Sequence, residues 1–172
     1  MGLSKKAFEA SNVFGNIHPG EDPDLSIRLW KQGFETQLIN QAFVYHKRRI
    51  DWNKFYIQVN KFGKARPILN SWYPQYSKFT FWFPTLFLFG IIFAIFSVGF
   101  KFYLPVIALG VYFMIICVDS SVKNKSIKVG FLSVFATFIQ FYGYGKGFFI
   151  SFIKVKLLKQ KPQKAFPKLF FN

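Results

Sequence analysis

Two stretches of the chain carry no charge and sit almost back to back: Phe79 to Phe100 and Phe102 to Val118, with only Lys101 between them. A helix needs roughly 20 apolar residues to cross a bilayer, so the pattern predicts a tight pair of spanning helices over 79–100 and 102–118. Trp72, Tyr73, Tyr76 and Trp82 gather at the entry to the first, where an aromatic belt would lie. A third apolar run, Val129 to Gly145, is interrupted by Gln140 and leads into the glycine-rich Gly143–Gly147. It predicts a less regular helix over 129–150, which either spans or bends at those glycines to lie along the surface. The bend is favoured, because it keeps the lysine-rich tail on the cytoplasmic side of the membrane.

Before residue 79 the pattern is mixed. "DPDLSIRLWKQG" carries helix punctuation at both ends: Asp22 suits the N-cap, Pro23 the first helical position and Gly33 the stop. "ETQLIN" and "QAFVYH" alternate as short strands around a turn at Asn40-Gln41. From Asp51 to Arg66, the residues Trp52, Phe55, Tyr56, Val59, Phe62 and Gly63 recur at helical spacing, with lysines off the stripe. Such a helix either lies in a membrane interface or packs on a globular neighbour. The chain thus divides into 1–50, a surface helix and linker 51–78, a membrane region 79–153 and a basic tail 154–172.

Charge sharpens this division. The 172 residues hold 23 Lys+Arg against 7 Asp+Glu, a net charge of +16, while 52% are hydrophobic. Apolar and cationic residues rising together point to a membrane protein with lysines against anionic lipid, and away from a nucleic-acid binder. The single cysteine, Cys117, excludes a disulfide framework within one chain, and no zinc-ligand spacing occurs. A multi-pass membrane protein with its lysines at the cytoplasmic surface is the expected placement.

Against this basic background Glu21, Asp22 and Asp24 stand out. Acids at the start of a helix satisfy its free N–H groups and its dipole, which explains Asp22 and Asp24 but leaves Glu21 over. The segment from Ser4 to Arg66, with "GEDPDLSIRL", the spacing to "GF", the strand ending in "VYH" and the "QVNKFGKAR" helix, resembles the C-terminal part of the catalytic domain of family 2 glycosyltransferases. These are bacterial membrane-associated enzymes of the GT-A fold. The segments "PTLFLFG" and "FIQFYGYGKGF" are similar to membrane segments of the same group.

The resemblance implies an α/β fragment followed by transmembrane helices. It also implies an inverting transfer from a nucleotide sugar to a cell-envelope glycan or lipid-linked acceptor. Asp22 would be the general base on the acceptor hydroxyl, and Glu21 would orient it or touch the acceptor. His46, Arg48 and Arg49 would meet the leaving diphosphate, with His46 also a candidate metal contact. Gln58 and Lys61 fall where processive members carry Gln-x-x-Arg-Trp; Lys61 and Phe62 replace the Arg and Trp, which favours single-sugar transfer. The divalent metal, Mg or Mn, belongs to an Asp-x-Asp expected outside this chain, in a donor-binding half that would precede Met1. "DPD" opens a helix and is not read as that motif. The competing reading is a non-catalytic cationic membrane anchor.

Overall fold

A computed structural model describes residues 2–12, 14–45 and 51–171. Helices dominate: α1 (Lys5–Ala10), α2 (Glu21–Lys31), α3 (Trp52–Trp72), α4 (Phe83–Gly99), α5 (Leu104–Asn124), α6 (Ile127–Ser151) and the short α7 (Pro162–Ala165). A turn of 3-10 helix, Phe79–Trp82, leads into α4, and a π-helical turn, Phe152–Leu157, prolongs α6. Three stretches are long and apolar enough to cross a membrane: Phe79–Gly99, Leu104–Asn124 and Ile127–Leu157.

The expected α/β fragment does not form. Among the described residues there is no strand. Residues 34–45 do turn at Asn40-Gln41, where the Ala42 N–H donates to the Ile39 carbonyl at 3.1 Å, yet no ladder joins the two arms. Leu38, Ile39, Phe43, Val44 and Tyr45 stay exposed. Alternating hydrophobicity becomes a strand only where a neighbour takes up the backbone N–H and C=O groups, and two arms without a supporting layer are marginal.

The α3 stripe finds a protein partner in α6. Trp52 meets Phe135 edge to face, Tyr56 stacks on Tyr142, and Asn60 Nδ2 donates to the Gly143 carbonyl at 2.9 Å. Farther along, Ser151 Oγ donates to the Lys64 carbonyl at 2.7 Å. α4 crosses the same region of α6, where Thr85 Oγ1 donates to the Gly145 carbonyl and Trp82 packs on Phe148. The Phe87 ring meets Tyr112, Phe113 and Phe141, tying α4, α5 and α6 at one point.

The anticipated interruption at Gly143–Gly147 is absent, and α6 stays helical through all five residues. A Cβ on Gly143 would strike Val59, one on Gly145 the Pro84 carbonyl, and one on Gly147 the Asn60 carbonyl. The glycines therefore let α3 and α4 approach the α6 backbone. Gly63 on α3 does the same beneath Tyr144. Close packing outweighs the roughly 1 kcal/mol of helix propensity lost at each glycine.

The basic tail is not a free arm. Phe166 and Leu169 are buried with Ile17, Ala65, Ile68 and Val155 in one core. An antiparallel bridge pairs Ile17 with Phe170; the His18 N–H donates to the Leu169 carbonyl at 2.7 Å, and the Phe171 N–H to the Asn16 carbonyl at 2.9 Å. The end of the chain thus lies against the loop that leads into the acidic cluster.

Candidate functional site

α2 starts two residues before the expected position. Gly20 is its N-cap, at φ +139° with Ile17 and Ala65 packed beneath it, and Glu21, Asp22 and Asp24 occupy the first turn. Asp22 is therefore not the cap. The other end forms as the sequence predicts. Gly33 turns at φ +82°, its N–H reaches the Trp30 carbonyl and the Phe34 N–H reaches Leu29, a Schellman closure with Phe34 packed on Leu29.

The three acids have three different environments. Asp24 is buried and fully engaged: Arg28 Nε and Nη2 donate to its Oδ2 at 3.0 and 2.9 Å, and the Tyr73 hydroxyl donates to Oδ1 at 2.7 Å. Arg28 also donates to the Ser11 carbonyl, and Gly15 passes so close that a Cβ there would strike Asp24. This carboxylate holds the 11–15 loop, α2 and the end of α3 together. Partial burial, then the Asp24 hydrogen bond and charge, push the Tyr73 hydroxyl up to about 12.

Glu21 folds back on its own loop. Its Oε2 accepts from the Gly20 N–H at 2.8 Å, and its Oε1 pairs with His18 Nδ1 at 2.7 Å. Burial raises its pKa, but its own backbone N–H, His18 and the Gly20 N–H outweigh that and hold it below the ordinary value. Asp22 is exposed, and its carboxylate has no hydrogen-bond or ion-pair partner among the described residues. Of the three, only Asp22 keeps its carboxylate unengaged among the described residues.

His18 also lines a cavity of about 300 Å³ together with Pro19, Lys54, Gln58, Lys61 and Phe62. Two predicted residues, Gln58 and Lys61, thus meet beside the Glu21–His18 pair. Asp22 is not part of that lining. His46, Arg48 and Arg49 lie outside the described residues. Among the described residues, no three His, Cys, Asp or Glu side chains converge to hold a metal ion. Asp22 and Asp24 do not act as a pair, since Asp24 is committed to Arg28 and Tyr73.

A family model described as glycosyl transferase family group 2 matches residues 1–118. The chain belongs to that family. In this group 2 glycosyltransferase the match takes in the acidic turn, all of α3 and α4, and most of α5. No curated relative and no solved structure matches the chain.

Sequence reasoning missed three residues that engage the acidic cluster. Arg28 sits four positions after Asp24, helical spacing for an ion pair. His18 sits three before Glu21, so it too lay within reach of a local search. Tyr73 carried no such signal, being 49 positions from Asp24.

Proposed function

We propose that this protein is an inverting, nucleotide-sugar-dependent glycosyltransferase acting at the cytoplasmic face of the inner membrane, with Asp22 as its general base. The observation that carries this reading is the contrast among the three acids: Glu21 and Asp24 are tied up, while Asp22 stands exposed with a free carboxylate. A sugar hydroxyl is a weak nucleophile at neutral pH, and a positioned carboxylate that takes its proton as the new bond forms removes that obstacle.

In the proposed step, the acceptor oxygen attacks the anomeric carbon of the donor as its proton passes to Asp22. The bond to the donor diphosphate breaks, and the electron pair leaves with the nucleoside diphosphate. Gln58 and Lys61 supply hydrogen bonds to acceptor hydroxyls in the cavity they share with His18. Glu21 positions the turn that carries Asp22. His46, Arg48 and Arg49 are assigned to the departing diphosphate on family resemblance. Among the described residues no three His, Cys, Asp or Glu side chains assemble a divalent-metal site. The acceptor class is a cell-envelope glycan or lipid-linked glycan, in keeping with three stretches long and apolar enough to cross a membrane.

The test is Asp22→Asn, assayed in membranes containing the full gene product with a panel of UDP- and GDP-sugars. Transfer should fall by about 10²–10⁴-fold, the usual worth of a general base, with donor affinity unchanged. Wild-type turnover in the variant would remove Asp22 from this role.

A further inference from the structure

Lys64 and Lys154 hold their ammonium groups over one ring, that of Phe166, at 5.9 and 5.3 Å from its centroid. One lysine comes from α3, the other from the π-helical turn after α6, and the ring comes from the tail. Partial burial lowers the Lys64 pKa, and repulsion from Lys154, Lys146 and Lys61 lowers it further. None of these four lysines is in an ion pair with an acid among the described residues. Gathering like charges in this way destabilises the fold unless something negative joins them.

A groove of about 370 Å³ opens beside this cluster, between α3 and the tail. Lys61, Lys64 and Lys168 stand in its lining, and Tyr56, Ile57 and Leu169 give it apolar walls. Among the described residues, no Asp or Glu lines it. Lys146 and Lys154 follow the uncharged residues 129–145 of α6, and lysines that close an apolar run stand at the level of anionic headgroups.

We infer that the groove between α3 and the tail binds the phosphate-bearing headgroup of an anionic membrane lipid. Lys64 and Lys168, which line the groove, meet the phosphate, Lys154 adds its charge from beside it over the Phe166 ring, and Tyr56, Ile57 and Leu169 receive the first part of the chain. Lysine suits this role as a compact charge with rotatable donors. A headgroup would also lock the tail onto α3, and with it the Ile17–Phe170 bridge beside the acidic loop. The inference does not depend on sugar transfer.

The experiment uses the full chain in neutral detergent, with thermal midpoint as the readout. The probes are dihexanoyl phosphatidic acid, dihexanoyl phosphatidylcholine and inorganic phosphate. The phosphatidic acid should raise the midpoint saturably, at a concentration at least about tenfold below either comparison probe, a difference of about 1.4 kcal/mol. The pair Lys64→Gln and Lys154→Gln should raise the half-saturating concentration about tenfold or more. Arginine at both positions should restore binding, and Lys168→Gln, at an exposed groove position, gives a second variant should the pair fail to fold. Removing the exposed Lys5 and Lys123 charges should change nothing. Equal effects of phosphatidylcholine or of inorganic phosphate, no saturable shift at all, or equal losses in the Lys5/Lys123 and groove variants would each overturn the inference.

Discussion

Tyr73, at the end of α3, donates its hydroxyl proton to Asp24 Oδ1 in the first turn of α2 across 2.7 Å. The bond joins positions 49 residues apart, and with Arg28 it consumes both oxygens of a buried carboxylate. An acidic cluster that looks uniform in the sequence is thereby divided into a structural acid and a free one.

The raised Tyr73 pKa has a consequence at alkaline pH. Below 10.0 the folded and unfolded chains both keep the phenol proton, and the bond contributes in full. As pH climbs toward about 12 the unfolded chain releases the proton first, so that contribution is lost. Tyr73→Phe should cost about 1–2 kcal/mol at neutral pH. The gap between wild type and variant should close as pH rises through that window. Thermal unfolding in detergent at stepped pH measures this, and a gap that stays constant would contradict it.

Asp24→Asn and Asp22→Asn should part company. Asn at position 24 leaves the Arg28 guanidinium without its carboxylate in a mostly buried setting, a loss of about 3 kcal/mol. At position 22 the side chain is exposed and makes no bond among the described residues, so stability should change by less than about 0.5 kcal/mol. Urea or thermal denaturation of the two variants side by side decides the matter. Equal destabilisation would mean that Asp22 also holds the fold.

The glycine contacts between α3 and α6 predict a sharp positional effect. Gly63→Ala places a methyl against the Tyr144 carbonyl, backbone that cannot swing aside, and should destabilise by about 1–3 kcal/mol. Gly90→Ala, on α4 with nothing within 4 Å, should be neutral or stabilising. Thermal midpoints of both variants give the comparison. A harmless Gly63→Ala would show that α3 and α6 do not pack as described.

What could be read without coordinates rests on local rules. The uncharged runs at 79–100 and 102–118 appear as helices because length and lack of charge suffice to specify them. Gly33 ends α2 because its backbone must turn left-handed there. The stripe from Trp52 to Gly63 declared a helix with one buried face but left its partner open.

Other features depended on what the rest of the chain supplies. Residues 35–45 alternate like strands, yet a ladder requires a neighbouring backbone, and none reaches them among the described residues. Gly143–Gly147 looked like a weak point in a helix, and its packing against α3 and α4 makes it a place of close helix approach instead. The Asp24–Arg28 half of the site lay within helical spacing. The Tyr73 hydroxyl, the tail on Ile17 and the two lysines over Phe166 did not. Helix lengths and stops follow from interactions within a few residues, so the sequence alone determined them. Which acid is buried, which glycine is a contact and which lysines gather follow from backbone approaches between distant segments, and those only the tertiary structure decided.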